Sequence, residues 1–326
     1  MRTVVGVLRG GPSSEYEVSL QTGASVLEAL DKEKYEPRDI FISRSGEWHL
    51  HGIALSPERA LREVDVVLNA LHGEFGEDGK VQRILEALAV PYTGSDAAAS
   101  ALAFNKQRTK KTADALGVKV AHGIVVDSKK ITDLERTALN IFRSLPHPVV
   151  VKPITGGSSV GTAVAPSFHA LQFALEHAFA VAPKAVVEEY IPGREATVGV
   201  VENFRNQKSY ALFPVEIVPP QGSPFFDYEA KYSGKTLERV PGNFTPEEKK
   251  QLAALATTVH EGLSLRHYSR SDFIVSPRGI YFLEVNTLPG LTQESLLPKA
   301  LRAVGARLSD FLDHIIALAK TKKRNA

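Results

Sequence analysis

The sequence predicts an α/β protein made of more than one structural unit. Strand-like runs alternate along the chain with segments of helical periodicity, which is the pattern of α/β folds. The chain has 326 residues, a length that favours two or three domains over one. Its first run, Thr3 to Leu8, is continuously apolar and stops at glycines. Such a run is typical of a strand buried on both faces.

Composition excludes several classes of protein. Lys and Arg together number 39 against 37 Asp and Glu, so the chain lacks the basic excess that would indicate a nucleic-acid partner. No apolar run approaches the roughly 18 residues that would predict a membrane span. The chain has no cysteine, which excludes disulfides and thiolate chemistry and fits a reducing compartment. The N-terminus lacks the apolar core of a signal peptide, so we expect a cytoplasmic protein.

Local signals predict where several elements begin and end. Ser14 with Glu17, Thr132 with Glu135, and Thr245 with Glu248 each have the capping-box spacing of a helix start. One helix is predicted to run unbroken from Asp96 to Leu116, and Ser167 is predicted to cap another. Strands are predicted over residues 64–71, 149–153, 185–190, 195–201, 209–217, 272–275 and 280–285. The Pro- and Gly-rich stretch 218–242 has the length of a lid or binding loop.

A hairpin around the turn 276–279 has the most specific chemistry. Residues i and i+2 of a strand share a face, so Glu284 and Asn286 point the same way, and the hairpin register can bring Asp272 beside them. Hard oxygen ligands without His or Cys suit Mg²⁺. The alternative is a charged, solvated hairpin face. The apolar residues around Glu284 argue against it, because unpaired carboxylates are costly in a buried hairpin.

Three other segments have weaker signals. The strand at 149–153 carries Lys152 and precedes the glycine loop GGSSVG, whose backbone N–H groups could bind phosphate, although a plain connection between strands remains open. Lys106, taken alone, could be an ordinary solvated lysine. Glu15 follows a buried strand at a helix start, where a ligand or only the helix dipole could favour it. His72 lies in a Gly-rich segment that could be an ordinary turn.

Taken in order, these segments resemble the D-alanine:D-alanine ligases of the ATP-grasp superfamily. The matching motifs are GGPSSEYEVSL, LHGEFGEDG, PYTGS, FNK, VVVKP with GGSSVG, VEEYIPGREATV, FDYEAKY, RSDF and LEVNTLPGLTQESLLP. The resemblance covers essentially the whole chain, and the last motif together with FDYEAKY is close to diagnostic. The resemblance implies the ATP-grasp fold, with an N-terminal parallel α/β domain (1–102) followed by two α+β domains (103–187 and 188–326) that clasp ATP. The C-terminal domain would carry the lid (218–242).

The resemblance also implies site residues. ATP would be held by Lys106 and Lys152 on its phosphates, by Gly157, Ser158 and Ser159 of the glycine loop, by Glu188, Glu189, Tyr190 and Ile191 along the adenine edge, and by Glu195 on the ribose. Two Mg²⁺ ions, or Mn²⁺ as a substitute, would bind Asp272, Glu284 and Asn286. The first D-alanine would be bound by Glu15 and His72, and its tetrahedral intermediate by Arg270 and the Gly290 N–H. Lys231 would contact the transferred phosphate, and Ser295 and the Leu296 N–H would bind the second D-alanine. Ser158 and Tyr232 would form a hydrogen-bonded set with Glu15.

The implied reaction is ATP-dependent formation of D-alanyl-D-alanine through D-alanyl phosphate, for peptidoglycan precursors, in a homodimer. A related ligase that uses D-lactate or D-serine as second substrate is the alternative, and so is a nucleotide-binding module without turnover. Tyr232 favours the dipeptide product. Two residues depart from the family pattern: Gly156 stands where a polar or acidic residue is frequent, and Glu189 where a lysine is frequent.

Overall fold

The computed structural model describes residues 2–157, 159–219 and 236–321. Three sheets of five, four and six strands follow one another along the chain. Ser158, Lys231, Tyr232 and most of the predicted lid lie outside the described residues. None of the helices in the described ranges is both long and apolar enough to cross a membrane.

The first sheet places a predominantly parallel core at the N-terminus. Its strands are β1 (Thr3–Gly10), β2 (Tyr35–Ile42), β3 (Trp48–Leu50), β4 (Ile53–Leu55) and β5 (Val66–Asn69), in the order β4-β3-β2-β1-β5. The central strand β1 pairs in parallel with both β2 and β5. The helices of this region are α1 (Tyr16–Ala29), α2 (Pro57–Ala60) and α3 (Lys80–Ala87). Ligands bind open parallel sheets beyond the carboxyl ends of such strands, and Glu15 and His72 follow β1 and β5 there.

The second sheet is antiparallel. Its strands are β6 (Gly123–Asp127), β7 (Val149–Pro153), β8 (Ala163–Ala165) and β9 (Lys184–Glu189), in the order β6-β9-β7-β8. Its helices are α6 (Leu134–Ser144) and α7 (Phe168–Val181), and two further helices precede it, α4 (Ala97–Phe104) and α5 (Lys106–Ala115). Leu171, Leu175 and Ala178 line one face of α7 and pack into a core with the sheet. The glycine loop joins β7 to β8 at the edge of this layer.

The third sheet carries the hairpin. Its strands are β10 (Arg194–Phe204), β11 (Gln207–Ala211), β12 (Val215–Val218), β13 (Leu237–Arg239), β14 (Tyr268–Ser276) and β15 (Gly279–Asn286), in the order β13-β12-β10-β14-β15 with β11 also on β10. The helices here are α8 (Pro246–Gly262), α9 (Leu296–Ala303) and α10 (Leu308–Thr321). Helix α8 covers this sheet, whereas α10 packs Phe311 and Ile315 into one core with Val5 and Leu68 of the first sheet. The C-terminal helix therefore ties the third region to the first.

Several predicted boundaries were wrong. The helix expected from Asp96 to Leu116 is broken at Asn105, whose backbone is extended and whose side chain accepts the Arg108 N–H to cap α5. The strand expected over 209–217 is two strands, β11 and β12, separated by a segment that contains Pro214. Proline removes a ladder donor and so favours this interruption. The break at Asn105 puts Lys106 in the first turn of its own helix.

Two of the three predicted capping boxes do not form. Helix α1 begins at Tyr16 with Glu15 in the N-cap position and no side-chain cap, and the Glu17 carboxylate pairs with Arg44 at 3.0 Å. Asp133, rather than Thr132, caps α6. The Thr245 box on α8 and the Ser167 cap on α7 are confirmed. The positions of the domain boundaries stay a prediction.

Candidate active site

The hairpin register brings the predicted oxygen ligands together. Asp272 of β14 lies opposite Glu284 of β15, and Arg270 lies opposite Asn286, with a register shift just beyond Asp272. A two-residue turn connects the strands, since Ser276 pairs with Gly279. The expectation that these side chains share one face of a buried hairpin is confirmed.

Arg270 holds Asp272 in place. Its Nε and Nη2 donate to the two Asp272 carboxylate oxygens, each at 3.0 Å, and Thr197 Oγ1 donates to Oδ1 at 2.5 Å. Burial by itself would lower the pKa of Arg270, but the nearby carboxylates, Asp272 first, raise it. A carboxylate offers roughly four lone-pair sites, so Asp272 keeps capacity for another ligand.

Two lysines approach the hairpin from the central region. Lys106 Nζ donates to the Gly156 carbonyl at 2.7 Å and lies 3.5 Å from Glu284 Oε2. Lys152, on β7, lies 3.4 Å from Glu188 Oε2. Although burial opposes it, the negative charges of Glu188 and Glu284 raise the pKa of Lys152. The Lys152 ammonium therefore remains charged, and both lysines lie beside the glycine loop, as phosphate binding requires.

Two cavities meet at this point. The larger, about 570 Å³, opens toward the first sheet and α9, and the smaller, about 120 Å³, lies between the second and third sheets. Both are lined by Lys106, Gly156, Gly157, Leu283 and Glu284. The smaller is also lined by Lys152, Ser159, Glu188, Glu189, Tyr190, Ile191, Glu195 and Asp272. All the described residues predicted to bind ATP thus border one or both cavities.

The departure at Glu189 has a local explanation. Its carboxylate accepts from Arg278 at 3.0 Å and from the His122 N–H at 3.2 Å, so it is engaged at the rim of the smaller cavity. Glu188, the next residue, is almost fully buried and is paired with Lys110 and Lys152. These neighbouring carboxylates therefore have different surroundings although the sequence presents them as a pair.

The first sheet supplies an acidic corner to the larger cavity. Glu15 packs so closely on the glycine loop that a Cβ added to Gly157 would lie 2.5 Å from Glu15 Oε2. Glu77 accepts the Gly73 N–H at 2.8 Å, and burial, followed by the charge of Glu15, raises its pKa to about 8. His72 Nε2 lies 2.8 Å from Thr22 Oγ1, and burial lowers the pKa of the ring. Glu15 and His72 lie in one corner of the larger cavity, and their roles toward a substrate stay a prediction.

Gly290, Ser295 and Leu296 also line the larger cavity, and a Cβ at Gly290 would lie 4.0 Å from Thr22 Oγ1 of the acidic corner. Ser295 Oγ lies 2.7 Å from Thr292 Oγ1 and accepts the Thr292 N–H, and it would be 2.8 Å from a Cβ at Gly290. Leu296 is the first residue of α9, so its N–H lies at a helix N-terminus, where anions are favoured.

The sequence argument missed two buried residues. Lys110 follows Lys106 by one helical turn, and this i, i+4 spacing was a readable signal for a second lysine on the same face. Glu77 belongs to the LHGEFGEDG motif, but a single sequence does not distinguish it from the neighbouring acids. The structure identifies both by their burial.

The donor set fits a divalent cation of the Mg²⁺ class. Across residues 2–157, 159–219 and 236–321, no cluster of three or more His, Cys, Asp or Glu could hold a metal alone. Mg²⁺ normally binds one or two protein carboxylates and completes its shell with waters and substrate phosphates. Asp272 and Glu284, with the amide of Asn286, meet that requirement, and both carboxylates already lie beside cations, Arg270 and Lys106.

Known proteins match the chain along nearly its whole length. The family model for the D-ala D-ala ligase N-terminus matches residues 4–60 and 51–95, and the model for the C-terminus matches residues 113–317. A D-alanine–D-alanine ligase of Syntrophobacter fumaroxidans is 38% identical, covering 98% of both chains. One of Geobacter sulfurreducens is 39% identical, covering 98% of this chain and 95% of the relative.

Solved structures of related ligases also match the chain along nearly its whole length. The D-alanine–D-alanine ligase of Bacillus anthracis superposes with a TM-score of 0.81 at 34% identity, covering 99% of this chain and 100% of that one. The VanG D-Ala:D-Ser ligase of Enterococcus faecalis gives 0.84 at 30% identity, covering 98% and 100%. The three sheets thus form the ATP-grasp fold that the motifs predicted. Because both family models and relatives of near-full coverage agree, the chain belongs to the D-alanine–D-alanine ligase family.

Proposed function

We propose that this chain is an ADP-forming ligase that joins two molecules of D-alanine into D-alanyl-D-alanine for peptidoglycan precursors. The observation that carries the proposal is the junction of the two cavities, where Lys106 and the Glu284 carboxylate border both. Lys152 lines the smaller cavity, and Glu15 and His72 line the larger one. ATP and an amino acid entering from opposite sides would meet at the junction. The relatives named D-alanine–D-alanine ligase support the choice of reaction.

The smaller cavity is assigned to the nucleotide. Lys106 and Lys152 would bind the α and β phosphates with the backbone of Gly157 and Ser159, while Glu188 to Ile191 would border the adenine and Glu195 the ribose. The two lysines support this assignment, because phosphoryl transfer depends chiefly on positioning and on stabilising charge. Ser158 belongs to the same loop but lies outside the described residues.

Asp272, Glu284 and Asn286 would hold two Mg²⁺ ions, with Mn²⁺ as a substitute. The bound metal supplies positive charge that offsets the charge developing on the transferred phosphoryl group. The chain's own contribution is to place both carboxylates at the wall of the smaller cavity. Arg270 orients Asp272, and Lys106 lies beside Glu284.

The first D-alanine is assigned to the acidic corner. The Glu15 carboxylate would bind its ammonium, and His72 would lie near the carboxylate that reacts. A carboxylate oxygen attacks the γ-phosphorus of ATP, the bond to ADP breaks, and D-alanyl phosphate forms. Closure of the cavity protects this acyl phosphate from water.

The second D-alanine is assigned to the end formed by Ser295 and the Leu296 N–H, which would bind its carboxylate. Its neutral amine attacks the acyl carbon, and the tetrahedral oxyanion would be stabilised by Arg270 and the Gly290 N–H. The carbon–oxygen bond then breaks, phosphate leaves, and the nitrogen loses its proton. Lys231 on the transferred phosphate, and Tyr232 with Ser158 and Glu15, complete the proposal from sequence alone, because Lys231, Tyr232 and Ser158 are not among the described residues.

A competition assay tests the substrate assignment. Purified protein receives ATP, Mg²⁺ and equimolar D-alanine, D-lactate and D-serine, and the products are identified by mass. We expect D-alanyl-D-alanine with one ADP and one phosphate per dipeptide. A product ending in D-serine or D-lactate would contradict the second-substrate assignment. ATP binding without phosphate release would instead favour a nucleotide-binding module.

Location, assembly and domain limits complete the proposal. We propose a cytoplasmic homodimer with domains at 1–102, 103–187 and 188–326. Light scattering coupled to gel filtration tests the dimer, and a mass of 35.4 kDa, that of one chain, would contradict it. Limited proteolysis with mass mapping of the fragments tests the boundaries, since cleavage is expected between compact domains.

A further inference from the structure

The buried ion cluster behind the smaller cavity contains one lysine that the proposed reaction does not use. Glu188 Oε1 accepts from Lys110 in a short contact, and Glu188 Oε2 lies 3.4 Å from Lys152. The side chains of Lys110 and Glu188 are only 9% and 4% exposed. Glu188 and Lys152 line the cavity, whereas Lys110 lines neither cavity. Lys110 therefore acts on a ligand only through its neighbours.

The helix explains how Lys110 reaches this position. Lys106 and Lys110 stand one turn apart on α5, so their side chains leave the same face. Lys106 reaches the Gly156 carbonyl at the cavity wall, and Lys110 reaches Oε1 of Glu188. One short helix thus supplies one cation to the cavity and another behind it.

Charge balance gives Lys110 its role. A buried carboxylate needs a partner, since an unpaired charge in the interior is costly. Without Lys110, Lys152 would be the partner of Glu188. That pair would be neutral, and the Lys152 ammonium would be drawn toward the Glu188 carboxylate. With Lys110 present, the three groups have a net charge of about +1 from two lysines and one glutamate. Burial lowers the pKa of Lys110 to about 8; the charge of Glu188 opposes this shift and that of Lys152 adds to it.

We propose that Lys110 is a positioning residue that neutralises Glu188 and thereby leaves the charge of Lys152 to the phosphates of the nucleotide. This inference rests on the proposed function for the nucleotide, but it concerns a residue that would not itself touch ATP. The proposal requires that the effect of Lys110 on ATP affinity depend on the charge of Glu188.

Binding of ATP with Mg²⁺, measured by calorimetry without D-alanine, tests the proposal. Lys110→Met keeps the length of the apolar stem and removes the charge, and we expect ATP affinity to fall at least tenfold. The KM for ATP should rise by a similar factor while the KM values for D-alanine change less than threefold. Lys111→Met, at the exposed neighbouring lysine, is the matched control and should bind like the wild type. Unchanged ATP affinity in Lys110→Met overturns the proposal.

A second pair of variants tests the mechanism and covers the case in which Lys110→Met does not fold. In a Glu188→Gln background the carboxylate charge is gone, so adding Lys110→Met should change ATP affinity less than threefold. A further tenfold loss in that background would mean that Lys110 acts independently of Glu188, and it would overturn the proposal. Wild-type protein that neither binds ATP nor releases phosphate with D-alanine would instead refute the proposed function, so the two failures are distinguishable.

Discussion

The two compartments of the site differ in how they manage buried charge. Beside the smaller cavity, Lys110 and Lys152 flank the single carboxylate of Glu188, and the cluster keeps an excess of positive charge. In the corner of the larger cavity, Glu15 and Glu77 lie close enough for the charge of one to raise the pKa of the other. Burial depresses the pKa of His72 beside them, and the charge of Glu15 opposes that shift.

This difference shows how one cleft can bind ligands of opposite charge. Lys106 and Lys152 favour the phosphates of a nucleoside triphosphate in the smaller cavity, and the Glu15 carboxylate favours an ammonium group in the larger one. Between them, Lys106 and Glu284 form a wall that both compartments share. A pocket with lysines for phosphates and a pocket with a carboxylate for an ammonium therefore meet where a phosphoryl group would pass from one ligand to the other.

The largest expected effect comes from breaking the shared wall. Glu284→Gln keeps the shape of the side chain and removes one anionic metal ligand, so kcat should fall by at least about a hundredfold. Phosphate release at several Mg²⁺ concentrations measures it. Glu176→Gln, at an exposed position on α7, is the control. Near-normal turnover of Glu284→Gln at millimolar Mg²⁺ would remove Glu284 from the metal site.

Arg270 connects the acidic corner to the hairpin, and its geometry should matter as well as its charge. Arg270→Lys keeps the charge but loses the two-pronged contact with Asp272, since a lysine cannot form it. A hydrogen bond between charged groups contributes about 1.5–3 kcal/mol, so we expect kcat to fall roughly tenfold to a hundredfold, with the KM for ATP within threefold. Steady-state kinetics measure kcat and the KM for ATP, and Arg307→Lys at an exposed ion pair is the control. A change confined to the KM for ATP would contradict the role.

Glu77 makes the acidic corner sensitive to pH. Because its pKa is raised to about 8 in the folded protein, the folded chain keeps a proton that the unfolded chain loses near the ordinary value of 4.5. The free energy of unfolding should therefore fall as pH rises from about 4.5 to 8, by at most roughly 1.4 kcal/mol per pH unit.

The variant Glu77→Gln cannot ionise and should lose this slope. Denaturant unfolding of both proteins at pH 5.5 and pH 8 measures it, and the variant should gain stability relative to the wild type at the higher pH. A difference between the two proteins that does not change with pH would show that Glu77 titrates normally.

The smallest expected effect affects the acidic corner alone. Thr22→Val removes the hydroxyl that lies 2.8 Å from His72 Nε2 while keeping the side-chain shape. One hydrogen bond contributes about 0.5–1.5 kcal/mol, so the KM for the first D-alanine should rise a few-fold and the KM for ATP should not change. Kinetics with each substrate varied in turn measure this. Equal changes in both constants would mean that the compartments are not independent.

Much of the fold was predictable because its signals are local. The alternation of strands and helices, the Thr245 capping box and the hairpin register depend on residues a few positions apart, and all three are confirmed. The unbroken helix through Asn105 was a wrong prediction. Its local periodicity continues, but the Asn105 side chain caps the next helix, and the Lys106 N–H donates to Ile154, far along the chain.

The sequence by itself determined the fold class, the family and the candidate oxygen ligands of the hairpin, because apolar periodicity and short motifs record them directly. Only the tertiary structure decided which charged residues are buried together. Lys110 and Glu188 are 78 positions apart, and Glu77 differs from neighbouring acids in its burial and in accepting the Gly73 N–H. Desolvation depends on everything that packs around a group, so the charge balance of each compartment appears only once the three sheets are assembled.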